Sequence, residues 1–162
     1  MNKAVIDLEV HENRTSLAKK RAGTSVNAYL VLKQGNNVLF QLRKNTGYCD
    51  GMWGFVAGHV EDGESATAGM IREVHEEIGI HLVSSEIKVV HVMHRKTNRL
   101  NVDVCFECQL MDREIRNIEP EKCEMLEFFP LEKLPSNMIE YNAAALQSIL
   151  RGECYSEYGW RN

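Results

Sequence analysis

The chain has 162 residues and no linker, repeat or low-complexity tract, so we predict a single domain over residues 1–162, with an N-terminal extension, residues 1–23, of uncertain structure. Hydrophobic residues make up 44% and charged residues 26% of the chain, and no apolar run approaches the ~20 residues that a membrane span needs. The net charge of −4 argues against a nucleic-acid polymer as the partner.

The first half of the chain predicts a β-hairpin, a short strand and a helix. β-branched and apolar residues on both sides of the turn residues Gln34–Asn37 indicate the hairpin. Apolar side chains then recur every three or four positions before Gly79, which is typical of a helix that ends at a left-handed residue. The predicted elements, in chain order, are strands over residues 24–33, 38–42 and 53–56, a turn over 58–63 and a helix over 65–78.

The second half predicts another hairpin, a strand and a closing helix. Two apolar segments flank the polar turn at residues 96–99, and Gly152 follows the last amphipathic segment where a helix should stop. The predicted elements are strands over 87–95, 100–110 and 126–129 and a helix over 137–151. Since strands and helices mix without regular βαβ alternation, we predict an α+β fold, an α/β/α sandwich around a mixed sheet.

Three carboxylates gather on one face of the predicted helix. Glu73, Glu76 and Glu77 stand at i, i+3 and i+4, and like charges at this spacing repel each other. A hard divalent cation such as Mg²⁺ would offset the repulsion among the three carboxylates, because it prefers carboxylate oxygens and completes its shell with water and substrate phosphates. The alternative is that the three residues simply solvate the outer face of an amphipathic helix, and their spacing alone does not decide between the two.

Residues 58–80 resemble the Nudix box, which is written G-x5-E-x7-R-E-U-x-E-E-x-G-U with U aliphatic. Every defined position of the box is filled, by Gly58, Glu64, Arg72, Glu73, Val74, Glu76, Glu77, Gly79 and Ile80. The predicted order of elements is also similar to the sandwich of that family over most of residues 24–150. The first 23 residues are not explained by the resemblance.

The resemblance implies Mg²⁺-dependent hydrolysis of a nucleoside diphosphate linked to another group, with Mn²⁺ as a possible substitute. It implies that Glu73, Glu76 and Glu77 are catalytic metal ligands. It also implies that the backbone at Ala57 and Gly58 approaches the metal or a phosphate. By the same resemblance, Arg72 and Glu64 form a charge pair that orients Glu73.

The chain departs from similar proteins at Ala57, where they often have glycine. A methyl group is tolerable there if only the Ala57 carbonyl is used, whereas a positive φ would cost about 1 kcal/mol. The general base is a second open point, since in similar enzymes it is a helix glutamate or a glutamate on a late loop. The late loop, residues 117–125, contains Glu119, Glu121 and Glu124, and we take Glu121 and Glu124 as the first candidates.

The expected substrate class depends on residues that similar proteins carry downstream of the box. The proline of ADP-ribose-type members and the tyrosine of dinucleoside-polyphosphate members are both missing at residues 95–98. We therefore expect a MutT-like pyrophosphohydrolase that converts a nucleoside triphosphate to a monophosphate and pyrophosphate. The alternatives are hydrolysis of ADP-ribose, a nucleotide sugar or a dinucleoside polyphosphate, and a non-catalytic Nudix-fold module that binds a nucleotide and regulates. A homodimer is possible, as in similar proteins.

Several residues outside the box are candidates for binding the substrate. Cations at strand ends could meet phosphates, and aromatic residues near the box could stack on a base, although such cations are often solvated and Trp53 could equally be a core residue. The candidates are Arg43, Lys44, Tyr48, Trp53, Phe55 and Arg95.

The cysteines and histidines point to no second metal site. Cys105 and Cys108 lie three apart on a predicted strand, so they face opposite sides, and no second pair completes a zinc site. The five cysteines are scattered and odd in number, and Asp7 interrupts the first apolar residues, so we expect free thiols and a cytoplasmic protein. His59 and His75 occupy variable positions of the box, although His59 could reach a phosphate.

Overall fold

The computed structural model describes residues 23–160 and shows one eight-stranded mixed sheet. Its strands are β1 (Thr24–Gln34), β2 (Asn37–Arg43), β3 (Trp53–Gly54), β4 (Val56–His59), β5 (Lys88–Lys96), β6 (Leu100–Gln109), β7 (Cys123–Pro130) and β8 (Tyr155–Tyr158). The order is β3-β2-β1-β6-β5-β8, with β4 also paired to β1 and β7 to β2. The long central pair, β1 and β6, is parallel, whereas both hairpins are antiparallel.

Two helices cover the sheet. Helix α1 (Ala66–Ile78) begins after Ser65, whose side chain accepts a hydrogen bond from the Ala68 N–H, and ends at Gly79, whose φ of 72° needs glycine. Helix α2 (Glu140–Leu150) closes the domain, and a 3₁₀ turn (Ser84–Glu86) precedes β5. No helix in the described part of the chain has the length and apolar composition needed to cross a membrane.

The core has two layers because successive side chains of a strand point to opposite faces. On β1, Leu30 and Leu32 pack with Met70, Val74 and Ile78 of α1. The alternate residues Tyr29 and Val31 pack with Leu146 and other residues of α2. The predicted α/β/α sandwich is therefore confirmed.

The structure departs from the predicted elements in two places. The single strand expected over 53–56 is two short strands, β3 and β4, separated at Phe55. Strand β8 was not predicted, and it pairs in parallel with β5 at the edge of the sheet. The fully buried His91 ties the two strands together, with Nδ1 2.8 Å from the Glu153 carbonyl and Nε2 2.8 Å from Ser156 Oγ. Residues 1–22, nearly all of the expected N-terminal extension, lie outside the described residues.

Candidate active site

A cleft of about 960 Å³ opens beside helix α1. Its walls come from α1, from strands β1, β2 and β4, from the β5–β6 hairpin and from the start of α2. Among the residues predicted for the site, those that line it are Arg43, Tyr48, Phe55, Ala57, Gly58, Arg72, Glu73, Glu76, Glu77 and Arg95. The fold thus brings the acids of the helix together with cations and aromatic residues that are distant in the chain.

Arg72 binds three carboxylates at the start of this cleft. Its guanidinium lies 2.7 Å from Glu64, 2.8 Å from Glu73 and 3.1 Å from Glu76, and it also donates to the His59 carbonyl. The hydrogen bond with Glu64 is the main reason that the pKa of Arg72 is raised, and the same bond lowers the pKa of Glu64. Glu64, which does not itself line the cleft, anchors Arg72 and through it Glu73.

Glu77 lacks such a partner. Its pKa is raised to about 8, chiefly by burial and in addition by the nearby charges of Glu73 and Glu119, although the Ala57 N–H and Arg43 oppose the shift. Its only side-chain hydrogen bond among the described residues comes from Gln41 Nε2, at 3.3 Å. Without a bound cation, the Glu77 carboxyl therefore holds a proton near neutral pH, because its protein neighbours do not stabilise its charged form.

Gly58 lets a carboxylate lie against the backbone of β4. A Cβ at this position would fall 1.9 Å from Cδ of Glu73, so no other residue fits without displacing Glu73. Ala57 does not have a positive φ, since the only non-glycine residues with positive φ in residues 23–160 are Asn45 and Cys49. The methyl group of Ala57 is thus compatible with the backbone conformation.

The residues at this face fit a hard divalent cation. Their ligand atoms are carboxylate oxygens, which suit Mg²⁺ or Mn²⁺, and a cation would favour the ionised form of Glu77, which burial and the charges of Glu73 and Glu119 disfavour. Within residues 23–160 no three acidic, histidine or cysteine side chains form a ready metal cage. The reason is that Glu73 and Glu76 are turned toward Arg72, which stands beside them as the local positive charge.

The predicted substrate-binding residues divide into two groups. Arg43 and Tyr48 line the cleft, and Arg43 donates to the Tyr48 carbonyl at 3.0 Å. Phe55 is 2% exposed and contributes to the floor of the cleft. Trp53 and Lys44 are not among the lining residues, and Trp53 packs edge-to-face on Phe129, with ring centroids 4.8 Å apart, as a core residue.

The late loop presents a different glutamate from those predicted. Glu121 and Glu124 are exposed and do not line the cleft, whereas Glu119 does and carries a salt bridge of 2.7 Å to Lys122. Because a general base must come within hydrogen-bond reach of the attacking water, the geometry favours Glu119 over our first two candidates. Glu119 lies two residues before Glu121 and five before Glu124. Which of them faces the cleft depends on how the loop folds against α1, and no local sequence pattern encodes this.

Arg95, a predicted substrate-binding candidate, lies in a buried polar cluster at another part of the cleft, and the other members of this cluster, Asn27 and Asp103, were not predicted. Arg95 forms a salt bridge of 2.5 Å with Asp103, which also accepts a hydrogen bond of 2.6 Å from Asn27. The Arg95 guanidinium lies 4.0 Å above the Tyr141 ring. Burial alone would lower the pKa of Arg95, but the hydrogen bond to Asp103 and the nearby Tyr29, Asp103 and Tyr141 side chains together raise it. In the sequence, the sign of this cluster is the presence of the polar residues Asn27 and Asp103 within otherwise apolar predicted strands.

The remaining histidines and cysteines lie as the sequence suggested. His59 lines the cleft, with Nε2 2.9 Å from an Arg99 nitrogen, whereas His75 is exposed and stacks on His81. Cys105 packs on the α2 side of the sheet and Cys108 on the α1 side, so the two thiols cannot share a metal ion.

Comparisons with known proteins agree with this architecture. The chain matches the family model described as the NUDIX domain over residues 22–150. It is 30% identical to Nudix hydrolase 5 of Arabidopsis thaliana over 99 residues, which are 60% of this chain but only 31% of that protein. The chain thus spans about a third of the length of this relative.

Solved structures show the same fold. A MutT NUDIX hydrolase from Burkholderia pseudomallei superposes with a TM-score of 0.70 at 24% identity, covering 77% of this chain and 97% of the other. A bifunctional NMN adenylyltransferase/ADP-ribose pyrophosphatase from Francisella tularensis, complexed with AMP and a manganese ion, superposes with a TM-score of 0.63 at 17% identity, covering 81% and 42%. At these identities the likeness establishes the fold alone.

Proposed function

The chain belongs to the Nudix family, and we propose that it is a divalent-metal-dependent hydrolase of the pyrophosphate linkage in a nucleotide. The observation that carries the proposal is the largely buried Glu77 carboxyl, which has no cationic partner among the described residues, next to the Glu73 carboxylate that fills the space beside Gly58. A carboxylate cluster of this kind, open to a cleft, suits a metal ion with a bound diphosphate.

We assign the metal to Glu73, Glu76 and Glu77, with the backbone of Ala57 and Gly58 beside it. When bound, Mg²⁺ or Mn²⁺ supplies charge stabilisation for the pyrophosphate leaving group and lowers the pKa of bound water. Arg72 keeps Glu73 oriented through its link to Glu64. Gln41 restrains Glu77 from the opposite side.

Glu119 is our choice for the residue that removes a proton from the attacking water. It lines the cleft near Glu77, close enough for each charge to act on the other. Lys122 holds it from the side, through the 2.7 Å salt bridge. Arg43 lines the same region with no carboxylate partner among the described residues, so its guanidinium is available to a substrate phosphate.

Within the nucleotide substrates we favour a nucleoside triphosphate, hydrolysed to the monophosphate and pyrophosphate. The downstream marks of ADP-ribose-type and dinucleoside-polyphosphate members are missing from residues 95–98, and the Burkholderia neighbour carries the MutT name. A purely binding module would be expected to lose box carboxylates, whereas this chain retains each of them.

The test is a substrate panel with the purified protein and Mg²⁺ or Mn²⁺, with products identified by ion-exchange chromatography. The panel contains the eight common nucleoside triphosphates, ADP-ribose, nucleotide sugars and dinucleoside polyphosphates. We expect monophosphate and pyrophosphate from at least one triphosphate, and no product when EDTA replaces the metal. Turnover of none of these compounds would contradict the enzymatic proposal, and turnover of ADP-ribose alone would contradict the substrate class.

A further inference from the structure

Asn142, in the first turn of α2, presents an unused donor to the cleft. The residue is only 2% exposed and yet lines the cleft. Its Oδ1 accepts the Phe55 N–H at 2.9 Å, which fixes the orientation of the amide group. Its Nδ2 has no hydrogen-bond partner within residues 23–160. Because no described residue accepts from it and Asn142 lines the cleft, this amide N–H is available to an acceptor on a bound ligand.

An aromatic surface borders the same part of the cleft. Tyr48 is 44% exposed and lines the cleft, so its ring is accessible to a bound molecule. Tyr141, whose ring lies beneath the Arg95 guanidinium, lines the cleft as well. A planar group bound beside Asn142 would therefore meet aromatic side chains.

The charge of this region differs from that of the carboxylate face. Arg95 is the nearby cation, and Asp103 neutralises it through two hydrogen bonds, at 2.5 and 3.1 Å. A phosphate group would gain little attraction here, because the arginine is already paired. A neutral, planar and polar group fits these surroundings better.

We propose that Asn142 and Tyr48 form the nucleobase subsite, in which Asn142 Nδ2 donates to a carbonyl oxygen or ring nitrogen on the edge of the base while Tyr48 stacks on its face. This inference rests on the proposed function only in taking the substrate to be a nucleotide.

The subsite is linked to the catalytic acids through the backbone of one residue, Phe55. Gln41 Nε2 donates both to the Phe55 carbonyl, at 3.1 Å, and to Glu77. The N–H of Phe55 in turn donates to Asn142. Asn142, which contacts the base, and Glu77, which lies at the phosphates, are therefore held at a fixed separation. This favours substrates in which the distance between the base and the reacting phosphorus matches that separation.

The test compares binding of nucleoside monophosphates and of pyrophosphate by isothermal titration calorimetry with Mg²⁺. Asn142→Asp keeps the acceptor for Phe55 N–H but removes the amide donor, and Tyr48→Leu removes the aromatic face without altering charge. AMP, GMP, CMP and UMP are titrated into both variants and into Asn36→Asp, a control with the same chemical change at an exposed position outside the cleft.

We expect the wild type to prefer at least one monophosphate and Asn142→Asp to weaken that affinity at least tenfold. Tyr48→Leu should weaken it at least fivefold, and pyrophosphate should bind within twofold of wild type in both variants. A carboxylate that merely repelled anions would weaken pyrophosphate as well, and that result would overturn the proposal. Unchanged monophosphate affinity in Asn142→Asp would also overturn it, even if the protein hydrolyses nucleotides. Absence of hydrolysis alone would leave these binding results intact and would count only against the proposed function.

Discussion

Two groups of charged residues line the same cleft, and they differ in how their charge is balanced. At the carboxylate face, Glu73 and Glu76 share one arginine, and Glu77 has none. In the buried cluster, Arg95 and Asp103 neutralise each other, and Asn27 satisfies a further lone pair of the acid. The comparison teaches that an acid left without a cationic partner marks the place for a ligand, whereas an acid paired with an arginine maintains the shape of the site.

The first prediction concerns the unbalanced group. Glu77→Gln should reduce kcat at least 10³-fold, about 4 kcal/mol of transition-state stabilisation, because a metal ligand is lost while the side chain keeps its size. Folding should be retained, since glutamine has nearly the size and the neutral charge of the protonated Glu77 of the metal-free protein. The assay is pyrophosphate release, with melting temperature as the check on folding and Glu132→Gln, which lies outside the cleft, as the control. Near-wild-type turnover in Glu77→Gln would remove Glu77 from the metal site.

Breaking the buried Arg95–Asp103 pair should lower the stability of the protein. Asp103→Asn leaves the Arg95 guanidinium buried without a counter-charge, so the free energy of unfolding should fall by about 3 kcal/mol. Urea denaturation measures the change. Glu114→Gln breaks the exposed pair with Arg116 and should have no measurable effect. Equal stability of the Asp103 and Glu114 variants would show that the buried pair does not maintain the cleft.

A third prediction separates the glutamates of the late loop. Glu119→Gln should lower kcat about 10²-fold, because general-base catalysis contributes at least this much and Glu119 lines the cleft. Glu121→Gln, two residues away, should change kcat less than twofold. The two rates are measured with the same substrate at saturating Mg²⁺. The opposite ranking would return the role of the base to Glu121.

The smallest effect is the pH dependence of stability in EDTA. Because the folded state raises the pKa of Glu77 from an ordinary carboxyl value to about 8, the folded protein holds a proton that the unfolded chain has lost. The free energy of unfolding should therefore fall as pH rises from about 5 to 8, with a slope from this group of at most ~1.4 kcal/mol per pH unit. Glu77→Gln should flatten the slope in urea denaturation series. An unaltered slope would place the titrating group elsewhere.

Much of the fold could be predicted from local sequence. The spacing of Met70, Val74 and Ile78 predicted helix α1, and the structure confirms it with Ser65 and Gly79 at its two ends. Both hairpins and helix α2 were predicted in the same way from periodicity and turn residues. Strand β8 was not, because a four-residue edge strand is recognisable only once its partner, β5, is in place.

The site could be predicted where its residues lie close together in the chain. The box acids share one helix, so their common face follows from helical geometry. The roles of Glu119, Asn142 and the Arg95–Asp103 pair could not be predicted, because they depend on contacts between elements far apart in sequence. Asp103 meets Asn27 across 76 residues, and Asn142 meets Phe55 across 87.

The parallel pairing of β1 with β6 affects how the protein folds during its synthesis. During vectorial synthesis β1 emerges early, but its neighbour at the centre of the sheet is made only after helix α1 and most of the β5–β6 hairpin. Pairing over such separations is slow, because loop-closure entropy is lost before contacts compensate for it. Until β6 is available, the backbone edge of β1 that pairs with it remains exposed, so a nascent or truncated chain that stops before residue 109 should be a target for chaperones and prone to aggregate.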